Sequence, residues 1–375
     1  MDLKLTEEER LIKDTAAQFV DRELIAREGA YLRQAQPFLP PGDPARRDLD
    51  PAIRDELVQR ARAIGLWMLQ LPEAMGGSAL GAVADVLIHR EFGRSVLPFK
   101  PLSIPEFMFE SEYGQRLADG KLSLSLAFDE AHKTGELSQL QTLYRHEPDG
   151  CILRDSSISV ANAKADLFLF PAREQGTERL GLFAIERDSP GLTIADEVDL
   201  TTDATVARLT LRGCKIPNEQ LVGYEYEAGA LIASEQLSIA ARCLGIAMRC
   251  LAASIEHARN RVTFGKRLAE RQAIQWMLAD LSIALRTSTW LTLETAWRAD
   301  QDLPYFDEAA LAKKRAAQMA FQAADTAIQI HGGYGVSKEF PFEAFYRETR
   351  LMRLLFGREG ELDRARGERF LSPEV

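Results

Sequence analysis

The period of the hydrophobic pattern changes twice along the chain. Leu5 to Arg27, Asp50 to about Ile64 and Ala82 to Val96 read as helices. The first opens on Thr6 with Glu9 three residues later, the reciprocal capping pattern, and the second on Asp50 with Pro51 in its first turn. A Pro-rich loop from Pro37 to Pro44 separates these two, and Leu71 to Gly77 reads as a turn. From about 121 to 222 the period falls to two. Leu122, Leu124 and Leu126 alternate with Lys121, Ser123 and Ser125, and Ile158 and Val160 alternate with serines. Val206 to Leu211, Leu167 to Phe170 and Leu180 to Ile185 add further strands. Short strands divided by Gly, Pro and Asp turns predict a compact antiparallel β-barrel or sandwich. From about 224 the helical period returns. Ala230 to Val262, Gln272 to Arg298 and Asp307 to Ile330 have the lengths and short connections of an antiparallel bundle, and Arg347 onward adds one or two more helices. The expectation is an α+β multi-domain chain: an N-terminal helical domain (1–118), a central antiparallel β-barrel or sandwich (119–223) and a C-terminal four-helix bundle (224–375).

Composition narrows the class of protein. A length of 375 residues allows two or three domains and a large core. Hydrophobic residues at 46% and charged residues at 27% describe an ordinary globular chain. The net charge of −10 argues against a nucleic-acid partner, while local clusters of Lys and Arg could still receive phosphates. Glu7, Glu8, Glu9 and Arg10 leave no signal-peptide core near Met1, and no apolar run looks long enough to span a membrane, so a cytoplasmic protein is expected. Cys151, Cys214, Cys243 and Cys250 lack metal-ligand spacing, so no metal site is expected. Cys243 and Cys250 lie two turns apart on one helix face, which predicts buried thiols and no disulfide framework.

The stretch Gln329 to Leu362 carries the most chemistry. Asp307 to Ile330 ends at Gly332-Gly333, after apolar residues at Ala316, Met319, Ala320, Ala323, Ala327 and Ile330. Two glycines there serve either as a helix C-cap or as a place where backbone meets a flat or phosphorylated ligand closely. The residues alone leave both readings open.

Several motifs, taken together and in order, resemble the acyl-CoA dehydrogenase family over essentially the whole chain. They are Ala63-Ile64-Gly65-Leu66 with Leu71-Pro72-Glu73 and Gly76-Gly77, then Arg90-Glu91-Phe92-Gly93-Arg94. Next come Arg261-Val262-Thr263-Phe264-Gly265-Lys266 with Gln272 and Leu278-Ala279-Asp280-Leu281, and finally Gln329-Ile330-His331-Gly332-Gly333-Tyr334-Gly335 with Glu339, Pro341 and Tyr346-Arg347-Glu348. The resemblance implies FAD as cofactor, an acyl-CoA substrate, an electron-transfer flavoprotein as acceptor, and a site shared across a subunit interface in a homodimer, homotetramer or heterotetramer. It assigns Arg261 to the pyrophosphate, which a guanidinium fork suits, and Phe264 to an apolar face. Gln272 would bond ribose or phosphate, Gln329, Gly332 and Gly333 would receive the adenine end, and Ser159 would donate near the flavin ring.

The same resemblance locates a departure. The family's reaction needs a carboxylate base beside the flavin, held in a dry pocket. Many members carry it as the glutamate of a Glu-Gly-Thr turn; here the aligned residue is Phe356, and Arg358 replaces the threonine. A second group of members places the base on an earlier helix, and Glu235 stands at that position. Leu231 and Ile239 lie one turn to either side of it, giving the carboxylate apolar company. The plainer reading is a surface glutamate paired with Arg242 two turns on. Gln236 follows where relatives usually have arginine, Phe128-Asp129-Glu130 replaces Thr-Glu-Pro, and Ile158-Ser159-Val160 replaces an aromatic residue with Ile-Thr. The expected functions are α,β-desaturation of a branched, long or polycyclic acyl-CoA with Glu235 as base, or a non-catalytic subunit completing a shared flavin site in a heteromer. A flavin oxidase or monooxygenase on the same fold is a third reading.

Overall fold

A computed structural model describes residues 5–34, 49–101, 103–130, 133–134, 137, 140–154, 156–177, 179–195, 198–200, 202 and 205–371. The Pro-rich loop expected at 37–44 lies outside them. Four helices, α1 (Glu7–Phe19), α2 (Ala26–Gln34), α3 (Pro51–Ala63) and α4 (Ala82–Phe92), precede the strands, and the short α5 (Gly114–Ala118) leads into them. After the strands come α6 (Glu225–Asn260), α7 (Gln272–Asp300), α8 (Phe306–His331), α9 (Phe342–Met352) and α10 (Glu359–Leu371). The chain divides into two compact units, one of Met1–Gln70, Gly77–Pro101 and Gln236–Arg353, the other of Leu71–Gly76, Leu102–Glu235 and Leu354–Val375.

Local chemistry accounts for the helix ends of the first unit. The Thr6 hydroxyl accepts from the Glu9 amide (3.1 Å) while the Glu9 carboxylate accepts from the Thr6 amide (2.6 Å). Asp50 accepts from Ala52 N at 2.9 Å, ahead of Pro51 in the first turn of α3. Between α1 and α2 the backbone loosens into a π-helical turn, Val20–Ile25, so the first helical stretch runs further than expected. Helix α4 carries no capping side chain of its own; Asp300, at the end of α7, accepts from Ala82 N (2.5 Å) and Val83 N (3.0 Å) instead. Helix α8 packs against both α7 and α9, and α4 against α1 and α7. A row of buried alanines on α8, Ala312, Ala316, Ala320, Ala323 and Ala327, permits close approach. Cys243 and Cys250 are buried and free, and burial pushes both thiols up to about 12.

Helix α6 meets the length and apolarity of a membrane span, contrary to the expectation that no segment does. More than half of its apolar window, 56%, is buried inside protein, which fits a core helix.

The second unit contains β1 (Leu124–Leu126), β2 (Asp129–Glu130), β3 (Lys133–Thr134), β4 (Leu143–Glu147), β5 (Gly150–Leu153), β6 (Ser156–Val160), β7 (Leu167–Glu174) and β8 (Leu180–Glu186). It continues with β9 (Leu192–Ile194), β10 (Val198–Asp199), β11 (Thr205–Leu211), β12 (Cys214–Ile216) and β13 (Leu221–Tyr224). One sheet runs β12-β5-β4-β7-β8-β13 with β1 also on β7; the other runs β10-β11-β6-β2-β3 with β9 on β11. Tyr144, Leu153, Phe168, Phe170, Phe183 and Ile185 of the larger sheet share a core with Ile158, Val160, Leu209 and Leu211 of the smaller. The arrangement is a sandwich. Among the described strands β12 and β13 end one sheet and β10 and β3 the other, so the barrel alternative does not hold. The sheets are also not purely antiparallel. Both β1 and β4 pair with β7 in parallel, β1 along Leu167–Leu169 and β4 at Arg173–Glu174, because β8 occupies the opposite edge of β7 and the chain leaves between β1 and β4 to form β2 and β3.

Candidate active site

A cavity of about 670 Å³ lies in the first unit where the ends of α6 and α8 meet. Its walls include Arg261, Thr263, His257, His331, Gly332 and Gly333, with Tyr334, Ser337 and Glu339 from the segment that follows. That volume is in the range of small-molecule sites.

Each wall residue has a local cause. Helix α6 ends at Asn260, and Arg261 follows it exposed; among the described residues no carboxylate pairs with its guanidinium. His257 sits one turn earlier on α6. Its ring lies 4.3 Å, centroid to centroid, from that of His331, the last residue of α8. His331 is buried, packed between His257 and Phe342 (4.5 Å), and its Nδ1 is 2.8 Å from the Ala327 carbonyl oxygen. Burial lowers the pKa of both imidazoles below the ordinary value; His331 and Arg261 push His257 down further, while the bond to Ala327 partly offsets the effect at His331. At neutral pH the pair is therefore uncharged.

The glycines of the turn serve different purposes. Gly332 has φ 62° and ψ −137°, a conformation open almost only to glycine. Gly335 admits the backbone of Ile328, whose Cα would lie 2.7 Å from an added Cβ. Gly333 has neither need: its φ is not positive and nothing among the described residues lies within 4 Å of an added Cβ. The open space beside Gly333, on a cavity wall, suits a group from outside the chain.

Beside the cavity, strands β14 (Val262–Thr263) and β15 (Lys266–Arg267) form a hairpin whose tip is Phe264-Gly265, with φ of 50° and 75°. Those angles suit a tight two-residue hairpin turn, normally filled by Asn-Gly. A phenylalanine there is strained by about 1–2 kcal/mol, and this one is also 99% exposed, with the Arg271 guanidinium over its ring at 6.0 Å. Strain and exposure together mark a residue kept for something outside this chain. Gln272 is the exposed first residue of α7, whose N-terminus has no capping side chain. Gln329 is exposed in the last turn of α8.

Of the residues expected from sequence, the cavity brings together Arg261, Gly332 and Gly333. Phe264, Gln272 and Gln329 belong to the same unit but not to its walls. Ser159 and Glu235 belong to the second unit. Ser159 lies half-exposed on β6, opposite Arg208 of β11, on the face away from the core residues Ile158 and Val160. Glu235 is half-buried on α6 between the buried Leu231 and Ile239. Among the described residues it makes no hydrogen bond or ion pair. Arg242, the partner a surface reading gives it, is held instead by Glu348 at 2.5 Å and faces the Phe92 and Ser95 carbonyls. Gln236 is buried. Phe356 has φ 48°, a left-handed backbone rare for an aromatic residue, and Gly357 follows at 112°.

Comparison with known proteins accounts for this arrangement. Residues 6–108 match the model of the acyl-CoA dehydrogenase N-terminal domain and residues 223–365 that of the acyl-CoA dehydrogenase C-terminal domain. The chain belongs to the acyl-CoA dehydrogenase family. It is 28% identical to the (R)-benzylsuccinyl-CoA dehydrogenase of Thauera aromatica, across 95% of this chain and 94% of that protein. Its fold matches the butyryl-CoA dehydrogenase of Megasphaera elsdenii with a TM-score of 0.82 at 22% identity, over 99% of this chain and all of the other. It also matches PigA, solved with FAD and proline, with a TM-score of 0.82 at 20% identity over 99% of each. The family makes the chain an oxidoreductase; its members are FAD-dependent, oligomeric, and act on acyl-CoA with an electron-transfer flavoprotein. The observations at Arg261, Gly333 and Phe264 fit the dinucleotide end of FAD: a cation with no carboxylate partner among the described residues, backbone open to close approach, and an apolar ring almost wholly exposed.

His257, Thr263, Tyr334, Ser337 and Glu339 are wall residues that sequence reasoning did not assign. The signal for His257 was its place one turn before Arg261 on the same helix.

Proposed function

We propose that this chain is an FAD-dependent acyl-CoA dehydrogenase for a bulky acyl group, with Glu235 as its base. The observation that carries this reading is that Glu235 has no hydrogen bond or ion pair among the described residues: it is half-buried between Leu231 and Ile239, while Arg242, two turns on along the helix, is committed to Glu348. A carboxylate left without a counter-charge in apolar company is a candidate acid–base group. Its carboxylate oxygen would take the proton from the carbon next to the thioester carbonyl, and Leu231 and Ile239 would keep water from its flanks. FAD, when bound, supplies the acceptor for the hydride leaving the adjacent carbon. Arg261, Phe264, Gln272, Gln329 and the Gly332-Gly333 backbone would hold its dinucleotide end, and Ser159 would donate at the ring. The similarity to a dehydrogenase of benzylsuccinyl-CoA is the support for a ring-bearing acyl chain, and the fold match to a butyryl-CoA dehydrogenase puts short linear thioesters in the test panel beside it.

The test is Glu235→Gln, which keeps shape and removes charge. Turnover, followed with an artificial electron acceptor across a panel of acyl-CoA thioesters, should fall by about 10²–10⁴, with the flavin spectrum unchanged. Undiminished turnover rejects Glu235 as base.

One observation favours a second reading. Phe356 stands where many relatives carry their glutamate, and it keeps a left-handed backbone without a proton-accepting side chain. A non-catalytic subunit of a heteromeric dehydrogenase would show this. Such a chain, purified alone, would be flavin-poor and inactive and would gain both properties on mixing with a homologous partner. A yellow, active homomer excludes it.

A further inference from the structure

The cavity between α6 and α8 contains a hydrogen-bond acceptor on His331, a residue inside the Gly-Gly motif to which the resemblance assigns no role. His331 Nδ1 lies 2.8 Å from the Ala327 carbonyl oxygen. A carbonyl can only accept, so Nδ1 carries the ring proton and Nε2 keeps its lone pair. Nothing else among the described residues pairs with His331, and the residue lines the cavity. Both the tautomer and the ring plane are fixed. The bond to Ala327 holds the proton on Nδ1, and packing between His257 and Phe342 holds the ring plane. Burial, with Arg261 acting on the neighbouring His257, keeps both imidazoles neutral and so preserves the lone pair.

The other wall groups divide the remaining chemistry. Arg261 only donates and suits phosphate. Glu339, when ionised, only accepts and suits the paired hydroxyls of a ribose. Thr263, Tyr334 and Ser337 carry hydroxyls that do either. His331 is the neutral acceptor whose direction the fold has set.

We propose that His331 reads the base of the bound nucleotide: its Nε2 accepts a hydrogen bond from an exocyclic amino group, which selects an adenine-type base over its 6-oxo counterpart. His257, stacked on it, is the positioning residue. An oxo group at that place would set acceptor against acceptor, and such mismatches discriminate strongly because a polar group is left unpaired. The inference rests on the reading that this cavity receives the ADP end of FAD.

The test uses the full-length protein stripped of flavin. FAD is titrated by flavin fluorescence, and ADP and IDP are added as competitors. The wild type should prefer ADP over IDP by about 10-fold, the scale of one mismatched hydrogen bond. His331→Asn keeps an N–H for the Ala327 carbonyl, and its one acceptor, Oδ1, stops a bond short of the Nε2 position, so it should bind FAD about 10-fold more weakly and hold ADP and IDP alike. Glu339→Gln should weaken both competitors equally and leave their ratio intact. An equal affinity of the wild type for ADP and IDP overturns the proposal without any variant, as does a preference that survives in His331→Asn. If the wild type takes up neither FAD nor ADP, the flavin reading itself falls, and this one with it.

Discussion

The end of helix α4 and the middle of α6 approach through two facing glycines, Gly93 and Gly245, and a methyl group added at either should be costly. A Cβ added at Gly245 on α6 would lie 2.8 Å from the backbone carbon and Cα of Gly93, with the Arg90 carbonyl oxygen closer still. A Cβ added at Gly93 would lie 2.8 Å from Arg242 Cα and closer to the Arg242 carbonyl oxygen. Every one of these neighbours is backbone, so no rotamer change relieves the overlap. Carbon atoms settle at about 3.5–4.0 Å, so Gly245→Ala would need the helices to separate by roughly 1 Å. Overpacking of that kind costs about 1–3 kcal/mol and occasionally more, while removing a glycine from a helix interior returns about 1 kcal/mol. With the upper part of the first range expected for a backbone clash, the net loss is about 2 kcal/mol.

The measurement is guanidinium unfolding followed by tryptophan fluorescence. All four tryptophans, Trp67, Trp276, Trp290 and Trp297, lie in the unit that contains both glycines, so the signal reports that unit. Gly367→Ala isolates the opposing propensity gain. Gly367 is inside α10 with nothing within 4 Å of an added Cβ, and its replacement should stabilise by about 0.5–1 kcal/mol in circular dichroism melts. Equal or greater stability in Gly245→Ala would refute the close-approach argument. On the proposed function the consequence would extend to chemistry, because α6 also carries the proposed base Glu235, and displacement by about 1 Å can cost on the order of 10² in rate.

Three further outcomes follow from other sites. Gly333→Ala should leave the unfolding midpoint unchanged yet lower bound flavin in the purified protein, whereas Gly332→Ala should destabilise by about 1–3 kcal/mol because its backbone angles exclude a side chain. Asp300→Ala removes the cap of α4 and should cost about 1 kcal/mol in the fluorescence assay; Asp300→Asn should cost less, because burial raises the pKa of Asp300 and so penalises its ionised form. His257 and His331 have lowered pKa values in the fold, so above the unfolded value of about 6.5 both states are neutral and contribute no pH slope. Below it the unfolded chain binds protons that the native state refuses, and stability should fall until the pH passes below the folded values. Replacing both residues by Asn should flatten that slope between pH 6.5 and 5 in urea titrations.

Periodicity carried the helices well, because α6, α7 and α8 are long and strongly patterned; expected ends fall within a few residues of the observed Glu225–Asn260, Gln272–Asp300 and Phe306–His331. It could not show the π-helical turn at Val20–Ile25, since one extra residue per turn leaves no mark on composition. The hairpin β4–β5 went unseen for a different reason: Arg145, His146 and Glu147 interrupt its apolar residues, as exposed strand positions do. The parallel pairing of β1 and β4 with β7 depends on where distant segments return, which no local pattern encodes. In the cavity, Arg261, Gly332 and Gly333 were legible because their order and spacing form motifs. His257 and Ser337 were not, because they become wall residues only once the end of α6 meets the end of α8.

The departure at Phe356 has a physical content beyond a missing acid. A left-handed phenylalanine is strained by about 1–2 kcal/mol relative to the ordinary regions, and Gly357 after it is confined by Leu362 of α10, whose Cδ2 would lie 2.7 Å from an added Cβ. The loop therefore keeps an unusual backbone with a side chain unable to exchange a proton. Strain of this kind persists only where surrounding structure imposes it, so the backbone shape and the acid are separable features of the position. On α6 the reverse holds. Glu235 occupies ordinary helical backbone, and its distinction lies in its surroundings: Leu231 and Ile239 are buried beside it and Glu348 has taken Arg242. An acid–base group needs the second kind of feature and not the first, because reactivity follows from solvation and charge around the carboxylate. On the proposed reading, the carboxylate whose loss should silence the chain is therefore Glu235, whereas Phe356 has none to lose.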